Sequence, residues 1–157
     1  MLNKLLATEN EYGALIVRVA LGVVMFPHGA QKMLGWFGGN GFSGTMHHFT
    51  ENMGIPYLLA LLVILAEFFG AIGLVVGALT RIAAFGIGCV MIGAIVTVHW
   101  QYGFFMNWFG NQAGEGFEYH ILAIGMCLAL MLRGAGAFSV DRWLAEKMGG
   151  GHSPHSI

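Results

Sequence analysis

Residues 57–79 read "YLLALLVILAEFFGAIGLVVGAL", an apolar run in which Glu67 is the only charged side chain. A helix that is apolar on every face has no side to turn toward water, so it is buried either in a large protein or in lipid. Crossing the hydrocarbon takes about 20 such residues, and this run is long enough. The chain has 157 residues, the length of one domain, and too little protein to enclose several such helices. Its composition agrees: 57% of residues are hydrophobic and 10% are charged, against roughly 25% charged in an ordinary globular domain. The sequence therefore specifies an all-α integral membrane protein.

Three further runs share this character. The first, about residues 12–33, carries Arg18 and His28. The third, 82–99, holds no Lys, Arg, Asp or Glu. The fourth, 117–133, is the shortest and uses Glu118, His120 and Arg133 as boundary residues. With spans at about 12–33, 57–79, 82–99 and 117–133, residues 1–144 are expected to form a four-transmembrane-helix bundle. Residues 145–157 are expected to be a disordered cytoplasmic tail, because "MGGGHSPHSI" cannot build a core; His152 and His155 make a poor metal site there. Four spans put Lys4, Arg81, Arg133, Arg142 and Lys147 on one side and only Lys32 on the other. The positive-inside rule then predicts that both termini are cytoplasmic. The first run has no A-x-A-like site after it and more spans follow, so no cleavable signal peptide is expected.

The outer connections have their own pattern. In "GFSGTMHHFTENMGIP", Phe42, Met46, Phe49 and Met53 recur at helical spacing. Ser43 is a plausible N-cap and Gly54 and Pro56 are stop signals, which predicts a short amphipathic helix lying in the interface between helices 1 and 2. Trp36, Trp100, Tyr102, Trp108 and Tyr119 read as an aromatic belt on the outer face. A net charge of −1 excludes a polyanion-binding protein, which needs a basic stripe. Cys89 and Cys127 form no CxxC pair, and they read as small packing residues rather than as a thiol relay.

Ionisable side chains inside a span are expensive, and each is a functional candidate. Glu67 lies about 16 Å below the outer end at Pro56, and Arg18 about 22 Å below Met33. An Arg18–Glu67 ion pair between helices 1 and 2 is the economical expectation, either as a structural lock or with Glu67 free to move protons or hold a polar ligand. Gly70 and Gly77 fall near the Glu67 face, while Gly22 and Gly29 share a stripe with Arg18, Met25 and Lys32, so all four glycines are expected to permit close packing. Pro27 predicts a kink that aims His28 and Lys32 over the bundle. His99, Glu118 and His120 reach the same outer level from helices 3 and 4. Glu67, His28, Lys32, His99, Glu118 and His120 are therefore the ligand or proton-transfer candidates. A metal or haem held by His28, His99 and His120 is the disfavoured reading, since no two share a ligand spacing such as HxxxH. His47 and Glu51 are weaker still.

Three stretches, "RVALGVVMFPHGAQKMLGW", "AEFFGAIGLVVGALTRIAA" and "GAGAFSVDRW", in this order and spacing, resemble the DoxX family of small bacterial membrane proteins across residues 11–144. The resemblance implies a four-helix bundle in the bacterial inner membrane. It singles out Arg18, Gly29, Lys32, Glu67, Gly70 and Arg81 as characteristic positions, with Glu118 and Asp141 later. It also implies an association with thiosulfate:quinone oxidoreductase chemistry, oxidative-stress systems and detoxification of quinone-like or thiol-reactive compounds. Either Ser139 or Asp141 is expected to cap a short cytoplasmic helix bearing Arg142, Trp143 and Lys147, which is preferred to a catalytic role for Asp141.

Three functions compete. The first is a redox-associated membrane subunit with a quinone or similar aromatic compound in an outer pocket. It carries no redox motif of its own, so its electrons would come from a soluble oxidoreductase partner. The second is a non-catalytic scaffold that anchors partner enzymes. The third is a small transporter, which would need a homo-oligomer because no inverted pair of broken helices is present.

Overall fold

The structure, a computed structural model, describes residues 6–8 and 10–148, and among them every regular element is helical. Helix α1 spans Tyr12–Leu34 and is closed by Gly35 in the left-handed region at φ 74°. Pro27 lies inside it without ending it. Helix α2, Gly41–His47, runs into a widened turn over His48–Asn52. Helix α3, Tyr57–Val76, starts directly after Pro56, whose fixed φ suits a helix entrance. Helix α4, Thr80–Ala94, continues through a widened turn at Ile95–His99 and a tight one at Trp100–Tyr102. Helices α5, Glu118–Arg133, and α6, Val140–Met148, complete the order.

Among the described residues, three helices are long and apolar enough to cross a membrane: Tyr12–Leu34, Tyr57–Val76 and Thr80–Tyr102. Helix α5 has 16 residues, about 24 Å of rise against about 30 Å of hydrocarbon. The span count expected from the sequence thus does not follow from helix length alone.

The long helices pack in a ring, α1 on α3, α3 on α4, α4 on α5, and α5 back on α1. Leu21, Met25, Leu74, Ile87, Cys127 and Leu130 fill the centre. Val23, Leu58, Leu62, Phe69, Phe85 and Val96 are exposed on the outer faces, an inside-out distribution that suits lipid. The α1–α3 seam is the tightest. A Cβ on Gly29 would sit 2.6 Å from the Phe68 Cα, and one on Gly22 would sit 2.9 Å from the Ala71 carbonyl oxygen. The two backbones therefore touch, as small residues permit.

Several expectations need correction. Arg18 does not pair with Glu67. Its guanidinium lies at the end of α3 and donates to the carbonyls of Leu74, Val75, Ala135, Ala137 and Phe138 at 2.6–3.0 Å. The last carbonyls of a helix have no partner within it, so a nearby arginine is drawn to them. Gly77 is not on a packing face but beyond the end of α3 at φ 70°, wedged between Ser139 and the Arg18 guanidinium. Gly70 is packed instead against Ile87 of α4. Asp141 accepts the Leu79 and Thr80 amides at 2.7 and 2.9 Å, so it caps α4 rather than its own helix. Ser139 performs the expected service for α6, accepting the Arg142 amide.

Helix α2 begins after Asn40 and has no side-chain cap from Ser43. Its Met46, with Phe49 just beyond it, packs on Ala60 and Ile64 of α3, while His47, His48 and Glu51 remain exposed. Residues 145–148, assigned from sequence to the tail, are the last turn of α6; the rest of that tail, with His152 and His155, lies outside the described residues.

Candidate functional site

Close approach of α1 and α3 decides where their charges meet. One turn beyond Gly29, Lys32 reaches across the seam, and its Nζ lies 2.6 Å from Glu67 Oε2. Glu67 is 4% exposed. A carboxylate so placed needs a cation or several donors, and Lys32 supplies the cation.

The pair forms one wall of a cavity of about 380 Å³ at the end of the ring away from Arg18. That volume falls in the range of small-molecule sites. His28 and Met25 of α1 line it, as do Met91, Ala94 and His99 along α4, Tyr119 and His120 of α5, and Met106 and Glu115 from the connection between them. Five of the six candidates read from the sequence, His28, Lys32, Glu67, His99 and His120, therefore meet in one place. Glu118 does not join them. Its Oε1 accepts the Met106 amide at 2.9 Å and the Trp108 indole N–H at 3.1 Å, which folds the 103–117 connection over the end of the ring.

The two inner histidines lie side by side, with ring centroids 4.2 Å apart at 44°. His99 Nδ1 lies 2.8 Å from the Glu115 carbonyl oxygen. A carbonyl only accepts, so this nitrogen carries the proton. His120 is 6% exposed, and its buried Nδ1 has no hydrogen-bond partner. The Tyr119 hydroxyl points to the Met25 sulfur at 3.6 Å, a weak acceptor that a better one readily replaces. The cavity thus offers an ion pair, imidazole rings and a phenol among thioether and methyl walls. Among the described residues no three His, Cys, Asp or Glu are grouped to hold a metal ion.

Tyr119 belongs to the cavity, not to an aromatic belt, while Trp36, Trp100 and Trp108 are exposed. Met91, Ala94, Met106 and Glu115 also line the cavity, and none of them stood out in the sequence. Met91 is two turns from His99 on the same helix, a spacing visible in the sequence. Met106 and Glu115 are brought in by an irregular connection with no periodic signal.

The DoxX family model matches residues 13–100. The chain is 31% identical over 120 residues to the protein named "Putative oxidoreductase CatD" of Bacillus subtilis (strain 168), covering 76% of this chain and 79% of that one. It is 30% identical over 139 residues to "Inner membrane protein YqjF" of Escherichia coli (strain K12), covering 88% of this chain and 96% of that one. No solved structure matches. The chain belongs to the DoxX family.

Proposed function

We propose that this protein is a redox-associated subunit of the bacterial inner membrane that binds a quinone, or a similar flat aromatic carbonyl compound, in the cavity between Lys32 and His120. The cavity carries the reading, because its polar groups suit that chemistry. Lys32 donates to one carbonyl oxygen. Tyr119, or His120 once protonated, donates to the other, and Glu67 and the histidines exchange protons as a quinone is reduced or reoxidised. Met25, Met91 and Met106 face the ring with soft, adaptable surface. The chain supplies binding and protons, and a soluble oxidoreductase partner supplies electrons. The name of the Bacillus subtilis relative supports an oxidoreductase setting, and that of the Escherichia coli relative supports the inner membrane.

The same reading takes α5 as a fourth, short span and both termini as cytoplasmic. Helix α2 lies in the outer interface. Titrating menadione into the detergent-purified chain while following tryptophan fluorescence tests the function. Saturable binding is expected, weakened at least about tenfold in Glu67→Gln through loss of a charge-assisted contact. Absence of saturable binding to wild type overturns the proposal.

A further inference from the structure

We propose that Lys32 is a nucleophile that captures apolar aldehydes as an imine, with Glu67 as the counter-ion of the iminium. Four observations carry this beyond reversible quinone binding. Lys32 faces a cavity whose remaining walls combine Met25, Met91, Met106, Ala94 and Tyr119 with three histidines and Glu115, so a carbonyl compound held there is presented to the amine. The Lys32 side chain is 25% exposed and its Nζ is 2.6 Å from a carboxylate that is itself buried. A proton passes between them without a water. Among the described residues no other lysine lines the cavity. The outer faces of α1, α3 and α4 are apolar, and an apolar aldehyde partitions into the lipid beside them.

The step balances without any oxidant or reductant. Glu67 takes a proton from the Lys32 ammonium, and the freed amine adds to the aldehyde carbon to give a carbinolamine. The carbinolamine hydroxyl leaves as water, taking a proton, and the C=N bond forms. The net change is ammonium plus aldehyde to iminium plus water, with Glu67 again a carboxylate beside the new positive charge. A lysine in an apolar pocket with an adjoining acid–base group is the usual requirement for imine formation. The inference uses the same cavity as the quinone proposal but does not depend on it.

The test is reductive trapping of the full chain in detergent with cinnamaldehyde and cyanoborohydride, followed by peptide mass spectrometry. Lys147, which stacks 3.9 Å from the Trp143 ring outside the cavity, is the internal reference. Lys32 is expected to be labelled at least about tenfold faster than Lys147, and labelling at Lys32 no faster than at Lys147 overturns the inference. Without reductant, the wild-type adduct is expected to show the red-shifted band of a protonated conjugated imine. Glu67→Gln is expected to lose that band in favour of the unprotonated imine. A Glu67→Gln adduct that keeps the red-shifted band overturns the counter-ion role, and if this variant does not fold, the trapping ratio in wild type still decides. Menadione binding with an unlabelled Lys32 overturns this inference alone, whereas labelling without menadione binding overturns only the quinone proposal.

Discussion

Arg18 and Glu67 are both buried inside helices, at 1% and 4% exposure, and the protein meets their electrostatic demands in separate ways. Arg18 spends its donors on backbone carbonyls at the end of α3 and in the Ala135–Phe138 segment, a planar fork that lysine cannot reproduce. Glu67 is matched by a single ammonium. The sequence marked both side chains as costly but pointed to pairing them with each other, because rise per residue gives depth, not the rotation or slide of one helix on another. The sequence aims Lys32 over the bundle without naming its partner, and the Gly29 contact brings it to Glu67. Gly29→Ala tests that dependence. Its methyl would meet the Phe68 and Glu67 backbone, whereas one at Gly93 meets nothing within 4 Å. Gly29→Ala is expected to destabilise the chain by about 1–3 kcal/mol, with Gly93→Ala close to neutral. Equilibrium unfolding of both variants in mixed micelles measures the difference, and equal stabilities would show that the seam is looser than described.

Short elements join the long helices in ways that hydropathy does not reveal. Helix α6 is bound to the α3–α4 turn through Asp141, whose two oxygens take the Leu79 and Thr80 amides, while the Asp141 amide donates to the Gly77 carbonyl. The stretch "FSVDRW" looked like the start of a helix and was one, but its carboxylate serves a helix about 60 positions earlier in the chain; no local pattern encodes that partner. Removing it leaves two amides at the start of α4 unpaired, and such caps contribute about 1 kcal/mol or somewhat more. Asp141→Ala is therefore expected to lower stability by about 1–2 kcal/mol and to speed proteolysis after Arg142, with Asp141→Glu intermediate. Unchanged cleavage kinetics in Asp141→Ala would mean that α6 is held elsewhere. At the other end the 103–117 connection was legible only as aromatic and uncharged by Lys or Arg. Its course over the cavity depends on Glu118 and Glu115, whose acceptors reach backbone amides within it.

At the scale of the whole molecule, the number of crossings decides on which side the cavity opens. Helix α5 is short, yet its ends align with those of α4. At one end the Phe117 amide donates to the Gly103 carbonyl, and the Phe117 ring stacks on Trp100 with centroids 5.4 Å apart. At the other, Arg81 at the start of α4 donates to the Met131 and Leu132 carbonyls, and Arg133 pairs with Glu11 at 2.6 Å. The proposed four-span reading rests on this match of α5 to α4 at both ends. The shortness of α5 is made up by Phe117 before it and by Arg133, whose long stem reaches toward the interface. The four-span proposal puts the Arg18 and Asp141 junctions at the lysine- and arginine-rich level and the cavity at the level that has only Lys32. Four crossings with cytoplasmic termini then predict opposite accessibility for the two ends of α5. In a background with Cys89 and Cys127 replaced by alanine, a single cysteine at Trp108 is expected to react with a membrane-impermeant maleimide in intact cells. One at Trp143 is expected to react only after the membrane is opened. Reaction at both positions in intact cells would mean that α5 does not cross and that the C-terminal helix shares the side of the cavity.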